Sequence, residues 1–130
     1  MKQILGGFMK SNEVIKVRTN SELLNELFGT DYTSWMKSYY DTEKNRIWMI
    51  RLDNQTRNNW RNYESGDTIV EENLDRRDTS GVRTDIRPDA ERIVFAKENG
   101  FFVFKGIYKY DKERSRCDGV RYWLKVSDEF

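Results

Sequence analysis

Histidine is absent from the sequence, and its absence excludes several classes of catalytic site. Histidine is the usual general base, the usual activator of a serine or cysteine nucleophile, and the commonest ligand of catalytic zinc. Serine–histidine and cysteine–histidine hydrolysis are therefore excluded, together with histidine-ligated zinc chemistry. Chemistry that depends on carboxylates and magnesium stays open.

Cysteine and long apolar runs are almost as scarce. The single cysteine, Cys117, permits no intrachain disulfide bond and no cysteine zinc site. There is no run of about 18 apolar residues, so the sequence excludes a transmembrane helix. The N-terminus lacks the long apolar stretch and the cleavage site of a secretory signal. We therefore expect a cytoplasmic protein that does not contact a membrane.

The charged residues that are present are unevenly distributed, although the net charge is only +1. Residues 44–63 hold five basic residues and one acid, and residues 105–125 hold seven basic residues and three acids. Residues 66–91 between them hold eight acids and four bases. This distribution fits either separate basic and acidic faces or an ordinary mixed surface.

Two short helices are predicted near the N-terminus. Segment 19–29 begins with the capping-box pair Thr19 and Glu22, carries an apolar stripe, and ends at Gly29. Segment 31–41, DYTSWMKSYYD, has aromatic residues at helical spacing and is predicted as the second helix. Core packing is the simplest explanation of both stripes.

Segments with the composition of strands precede and follow these helices. They are 12–18, 46–52, 67–73, 91–96, 101–110 and 119–126. Short connections such as KENG at 97–100 leave no room for a parallel crossover. The sequence therefore predicts a single α+β domain over residues 1–130. Its mixed or antiparallel sheet curls towards a barrel, with the barrel strands mainly in 46–130.

Alternation along the last two strands assigns their side chains to two faces. In 101–110 the residues Phe102, Phe104, Tyr108 and Tyr110 share one face. We expect Phe102, Phe104 and Tyr108 to fill the barrel, and Lys105, Lys109 and Tyr110 to lie towards its rim. In 119–126 the predicted inward residues are Val120, Tyr122, Leu124 and Val126, and the predicted outward residues are Arg121, Trp123 and Lys125.

Two polar segments, 53–67 and 73–90, are predicted to be loops. The first is rich in asparagine and arginine and contains Trp60 and Tyr63. The second is highly charged and contains the only proline, Pro88. A loop of this length in a compact domain is usually functional or disordered.

Tryptophan close to arginine or lysine is the pattern that indicates a binding site. An indole can stack on a nucleobase while the neighbouring cations hold phosphates. Trp60 and Trp123 lie in polar surroundings, whereas a core position is the simpler explanation of Trp48. For each cation, ordinary solvated surface is the alternative. The candidate nucleic-acid-binding residues are Trp48, Arg57, Trp60, Arg61, Lys105, Lys109, Arg121, Trp123 and Lys125.

Catalytic and cofactor motifs are not found. The acids between residues 71 and 89 could hold magnesium for a nuclease, but no Glu-x-Lys stretch follows on a neighbouring strand. The glycine pair at 6–7 lacks the spacing of a phosphate-binding loop. We therefore expect neither an enzyme, nor a metal site, nor a cofactor.

The strands RIWMIRL, ERIVFA, FFVFKGIYKYDKERS and VRYWLKVSDEF together resemble the PUA-like superfamily of small β-barrels, which includes SRA, EVE and YTH modules. The resemblance runs from Arg46 to the end of the chain. It implies a barrel that reads a modified or flipped base in an aromatic pocket with a basic rim. No family motif matches residue for residue, so no pocket residue is transferred from the family.

Two functions are consistent with these observations. The first is a non-catalytic module that binds nucleic acid or a modified nucleotide, with salt-sensitive affinity and a basic patch around an aromatic pocket. The alternative is a phage-encoded inhibitor of a bacterial defence system, an anti-CRISPR or similar, which binds a defence protein or sequesters a nucleotide signal. Binding by such an inhibitor to its protein partner should depend on the acidic region 71–91.

Overall fold

The computed structural model describes residues 9–57, 59–74, 87–115 and 119–130. These ranges contain eight strands and one α-helix, consistent with the predicted α+β class. In chain order the elements are β1 (Val14–Ile15), α1 (Asn20–Phe28), β2 (Tyr39–Asp41), β3 (Asn45–Ile50), β4 (Trp60–Ser65), β5 (Thr68–Asn73), β6 (Glu91–Glu98), β7 (Phe101–Tyr110) and β8 (Val120–Ser127).

The strands form one mixed sheet in the order β2-β3-β6-β7-β8-β5-β4, with β1 paired to β7 off this path. The β3–β6 pair is parallel, and the other pairs are antiparallel. Trp48 of β3 and Trp123 of β8 have ring centroids 5.8 Å apart, although two strands separate theirs in the sheet. Side chains on strands so far apart meet only if the sheet curls, as predicted.

The curled sheet has a core on each face of its central strands. The helix-side core joins α1 to the outer face of β3, β6 and β7, and contains Leu23, Leu24, Ile47, Met49, Ile93, Phe95, Phe102 and Phe104. The inner core lies inside the curl and contains Trp48, Ile50, Ile69, Val94, Tyr108, Tyr110 and Trp123. Alternate residues of β3 and β6 enter different cores, so these strands read as continuous apolar runs.

Helix α1 forms as its sequence predicts. The Thr19 side chain accepts a hydrogen bond from the Glu22 backbone N–H at 3.2 Å, and the Glu22 carboxylate accepts one from the Thr19 N–H at 3.0 Å. Gly29 ends the helix in the left-handed region, with φ at 72°. Leu23 and Leu24 are fully buried against the sheet.

The prediction of a second helix over 31–41 is wrong. Residues 31–38 have no regular structure, and β2 follows them. The side chain of Asn25 donates to the Tyr32 carbonyl and accepts from the Tyr32 N–H, both at 2.9 Å, so the segment is tied to α1. Trp35 packs on Tyr32 and Tyr40 with centroids 4.7 and 5.4 Å away. The aromatic spacing therefore reflects a cluster built by a loop and a strand.

A β-bulge divides β7. The prediction that Phe102, Phe104, Tyr108 and Tyr110 share one face is therefore wrong. Val94 pairs with Gly106 and Phe95 with Phe104, which leaves Lys105 as the extra residue. Gly106 has φ at 128°, and a Cβ there would lie 2.8 Å from the Ser127 carbonyl oxygen, so glycine is required.

The two halves of β7 consequently enter different cores. Phe102 and Phe104 are buried on the helix side, and Tyr108 and Tyr110 are buried inside the curl. Lys105 and Tyr110 are 8% and 5% exposed. The prediction that these two residues lie towards the rim is therefore wrong. Lys109 is exposed.

The predicted faces of β8 are reversed. Trp123 is fully buried and Arg121 is 7% exposed, whereas Leu124 and Val126 are 44% and 47% exposed. In the described part of the chain no helix covers the outer face of β8, while Trp48 and Tyr110 close the inner face on Trp123. The tryptophan ring, larger than the aliphatic side chains, takes the enclosed side.

The two predicted loops had different outcomes. Segment 53–67 contains strand β4, so the prediction of a loop there is wrong for 60–65. Its polar composition fits an edge strand, whose side chains are half-buried or exposed. Most of the second predicted loop, residues 75–86, lies outside the described residues, as does Cys117.

Replacement of Phe104 by alanine tests the helix-side core. The ring is 0% exposed and lies 5.6 Å from the Phe95 ring, so its removal leaves a cavity between sheet and helix. We expect Phe104→Ala to lower the free energy of unfolding by about 3–5 kcal/mol, measured by urea denaturation. A loss below about 1 kcal/mol would place the ring outside the core.

Candidate functional site

Three arginine side chains lie on the inner face of the sheet at one end. Arg46 and Arg92 are the second residues of the parallel strands β3 and β6 and pair with each other in register. Arg121 is the second residue of β8, which enters the sheet from the same end. All three residues are at most 7% exposed. We call these arginines, together with Glu71 of β5, the arginine mouth.

Glu71 connects three strands through one carboxylate oxygen. Its Oε1 accepts hydrogen bonds from Trp123 Nε1 at 3.1 Å and from Arg121 Nη1 at 3.3 Å, and lies 3.9 Å from Arg92 Nη1. The register explains this convergence, because Glu71 pairs directly with Arg121 of β8. Oε2 accepts no hydrogen bond from the described residues.

Arg92 is held chiefly by aromatic rings. Its guanidinium carbon lies 3.7 Å from the Trp123 ring centroid and 4.4 Å from the Trp48 centroid, so the cation sits between two indoles. Arg92 donates no hydrogen bond to any residue that the structure describes, and its Nε is buried without a partner there. Burial lowers the pKa of Arg92 to about 9, so the charge is retained at neutral pH.

Arg46, in contrast, has a two-point contact with a carboxylate. Its Nε and Nη2 donate to the two oxygens of Asp41 at 2.7 and 3.1 Å, and its guanidinium lies 4.0 Å from the Tyr39 ring centroid. Arg87 also donates to Asp41, at 3.1 Å. Burial acts to raise the pKa of Asp41, but hydrogen bonds from Arg46 and Arg87 outweigh it and lower the pKa.

Strand β4 contributes Trp60 and Asn62 to the same face. Asn62 pairs with Glu71 in register, and Arg121 lies over the half-buried Trp60 ring at 5.1 Å from its centroid. Asn62 Oδ1 and Arg121 Nε are buried and, within the described ranges, have no hydrogen-bond partner. Buried polar atoms normally have partners, so this end of the sheet can accept a ligand with both donors and acceptors.

Four of the nine candidate residues lie at this mouth: Trp48, Trp60, Arg121 and Trp123. Trp48 is 3% exposed and belongs to the inner core, as its apolar strand suggested. Trp123 is buried rather than exposed, which corrects its predicted orientation. Of these three indoles, Trp60 is the one that retains a half-exposed ring.

Arg57 and Arg61 lie near Trp60 in sequence but do not share its environment. Arg61 points to the other face of β4, where it is paired with Glu72. Arg57 forms an exposed two-point pair with Asp53, with distances of 2.8 and 2.7 Å. The hydrogen bonds from Arg57 lower the pKa of Asp53 to about 2. A role for either arginine in binding remains a prediction.

The three candidate lysines lie apart from the arginine mouth. Lys105 Nζ lies 3.1 Å from Glu64 and 3.2 Å from Glu98, the last residue of β6. Lys125 Nζ lies 3.2 Å from Asp128. Lys109 is exposed on the other face of the sheet from Tyr108 and Tyr110. Because Lys105 and Lys125 are neutralised by carboxylates, their contribution to phosphate binding is a weaker prediction.

Sequence reasoning missed Arg46, Asn62, Glu71 and Arg92 as site residues. A signal for two of them was present, since Asn-Arg-Ile and Glu-Arg-Ile open strands β3 and β6. Those strands pair in parallel, so their second residues share one end of the sheet. Asn62 and Glu71 have no such signal, because a polar residue on a half-exposed strand is ordinary.

The described ranges contain no group of three or more acidic, cysteine or histidine side chains that could hold a metal ion. Their single helix has nine residues, far fewer than a membrane crossing needs.

The sequence profile of the SRA domain, described as the SET and RING associated domain, matches residues 7–130. This match spans almost the whole chain. The chain belongs to the SRA family. SRA domains are PUA-like modules that bind DNA with modified bases, so the resemblance to PUA-like barrels and the prediction of a nucleic-acid-binding module are confirmed.

A solved structure is also similar to this SRA domain. It is "The 5-Hydroxymethylcytosine-Specific Restriction Enzyme AbaSI", with a TM-score of 0.68 and 26% identity. The alignment covers 92% of this chain and 40% of the AbaSI chain, so this domain spans less than half of that enzyme. No curated protein matches the chain. Neither finding supports the alternative of a defence-system inhibitor.

The carboxylate of Glu71 can be tested by neutralisation. We expect Glu71→Gln to lower the free energy of unfolding by about 3–5 kcal/mol, because two buried guanidinium groups lose their shared counter-charge. The double variant Glu71→Gln/Arg92→Met should recover part of this loss, and a double-mutant cycle in urea measures the coupling. A cost below about 1 kcal/mol for Glu71→Gln would show that the charges are not coupled.

Proposed function

We propose that this SRA domain binds DNA by accepting a modified cytosine at the arginine mouth. Trp60 provides the stacking surface, and Asn62 Oδ1 and Glu71 Oε2 accept hydrogen bonds from the base. A base inside a duplex cannot reach an inner face of a sheet, so the target nucleotide leaves the stack to bind.

The observation that carries the proposal is the presence of unpartnered polar atoms beside a half-exposed indole. Among described residues, Asn62 Oδ1 and Arg121 Nε are buried without partners, and Arg121 lies over Trp60. Leaving such groups unpaired in the bound state would cost roughly 1–3 kcal/mol each, so a ligand that pairs them gains affinity. A nucleobase supplies both a flat ring and hydrogen-bonding edges.

The acceptors favour a base with an exocyclic amino group. Asn62 and Glu71 are cross-strand neighbours, so their two oxygens lie on one side of the site. Cytosine presents an N4 amino donor, whereas thymine presents an O4 acceptor at the same position. Thymine would place its oxygen against a carboxylate oxygen, which is unfavourable.

The similarity to AbaSI supports 5-hydroxymethylcytosine as the modified base, since the printed title describes that enzyme as specific for it. The match is 26% identical over 92% of this chain, and it concerns the part of AbaSI that shares this fold.

Exposed cations near this end of the sheet would meet the DNA backbone. Lys44 lies in the turn between β2 and β3, close to Asp41 and Arg46, and is exposed. Lys37 is exposed and lies 5.6 Å from the Tyr39 ring centroid. Backbone contacts of this kind release counterions, so affinity should fall as the salt concentration rises.

Trp60→Ala tests the stacking surface. We expect DNA affinity to fall by roughly 1–3 kcal/mol while the domain remains folded. The assay is fluorescence anisotropy at two salt concentrations, with duplexes that differ at one position: cytosine, 5-methylcytosine, 5-hydroxymethylcytosine or thymine.

Tyr63→Ala is the matched control, because Tyr63 lies on the same strand but on its other face. It should leave the preference among duplexes unchanged. Undiminished affinity in a folded Trp60→Ala variant would remove Trp60 from the site. Equal binding of all four duplexes by the unmodified protein would contradict recognition of a modified cytosine.

A further inference from the structure

Among the described residues, the arginine mouth has fewer carboxylate partners than guanidinium groups. Asp41 accepts hydrogen bonds from Nε and Nη2 of Arg46 in a two-point contact, and it also accepts one from Arg87. Arg92 and Arg121 share the single oxygen Oε1 of Glu71, at 3.9 and 3.3 Å. Within the described ranges, these two buried guanidinium groups therefore share one carboxylate.

This imbalance is energetically costly. Arg92 and Arg121 are 3% and 7% exposed, and both have a buried Nε without a hydrogen-bond partner among the described residues. Burying a cation without full compensation costs several kcal/mol. The two indoles around Arg92 recover some of that cost but provide no hydrogen-bond acceptor.

We infer that the Arg92–Arg121 pair is a subsite for an oxyanion of the bound nucleotide, lying behind the position of the base. This inference rests on the proposed function and extends it from the base to a charged group that accompanies it. Guanidinium forks bind carboxylate and phosphate oxygens in two-point contacts, and charge-assisted hydrogen bonds are about twice as strong as neutral ones.

Two groups of a nucleotide can supply such an oxyanion. One is an oxidised substituent on the cytosine ring, for which a carboxylate is the best match and a hydroxyl a weaker one. The other is the phosphate of the flipped nucleotide. The Arg92 guanidinium, whose Nε has no partner among the described residues, lies between Trp48 and Trp123 deep on the inner face, which favours the substituent.

Arg92→Met separates a binding role from a structural one. Methionine can fill the slot between the indoles, while Glu71 keeps its contacts with Arg121 and Trp123. The variant should therefore be at least as stable to urea as the unmodified protein, since replacing under-compensated buried charge with an apolar group is often neutral or stabilising. Arg92→Lys keeps the charge but loses the planar guanidinium group. Its affinity for modified DNA should therefore lie between those of the unmodified protein and Arg92→Met.

The binding measurement uses three duplexes whose central cytosine carries a 5-methyl, 5-hydroxymethyl or 5-carboxyl group. The unmodified protein should bind the carboxyl duplex most tightly. Arg92→Met should lower affinity for the carboxyl and hydroxymethyl duplexes by about 10- to 100-fold, with little effect on the methyl duplex. The control Arg51→Met removes an equal charge from an exposed position and should keep the order of preference.

A second measurement tests the subsite without depending on DNA binding. Inorganic phosphate, compared with chloride at equal ionic strength, should raise the Tm of the unmodified protein but not that of Arg92→Met. If Arg92→Met weakens all three duplexes equally and abolishes the phosphate effect, the oxyanion is the backbone phosphate, and the subsite stands.

The inference is overturned if Arg92→Met binds all three duplexes like the unmodified protein and responds equally to phosphate. If the unmodified protein binds no duplex, the proposed function fails. The phosphate-dependent Tm then decides the subsite by itself: a shift lost in Arg92→Met supports it, and no shift rejects it.

Discussion

The shared carboxylate of Glu71 is the contact on which the inner face of this SRA domain depends. It joins β5 to Arg121 and Trp123 of its neighbour β8, and also to Arg92 of β6, a strand that is not adjacent to β5 in the sheet. Two cations can remain buried there only because this one anion lies between them and indole rings cover the rest. The proposed oxyanion subsite depends on this shortage of negative charge among the described residues.

The second constraint is the bulge at Lys105 and Gly106, which lets one strand serve two cores. Before the bulge, Phe102 and Phe104 support the helix, and after it, Tyr108 and Tyr110 face the interior of the curl. The close approach of the Ser127 carbonyl leaves no space for a side chain at Gly106. The bulge therefore lets β7 contribute side chains to the helix-side core and to the inner core.

Much of the fold followed from local sequence. The capping box at Thr19 and the apolar runs of β3, β5, β6, β7 and β8 predicted those elements closely. The site was less predictable. Trp123 looked exposed because charged residues flank it, but Arg121 is itself buried and paired with Glu71. Alternation identifies which residues share a face, yet it does not say which face is covered. That depends on elements packed from elsewhere in the chain.

The sequence by itself determined the small α+β domain, the exclusion of histidine chemistry, the resemblance to PUA-like barrels, and the supply of tryptophan and arginine. Only the tertiary structure decided which of these tryptophan and arginine side chains contact one another. It buried Trp48 and Trp123, left Trp60 half-exposed, and paired Lys105 and Lys125 with acids. The physical reason is that buried charge is tolerated only where partners from distant strands converge, and strand pairing over long sequence separations sets that convergence.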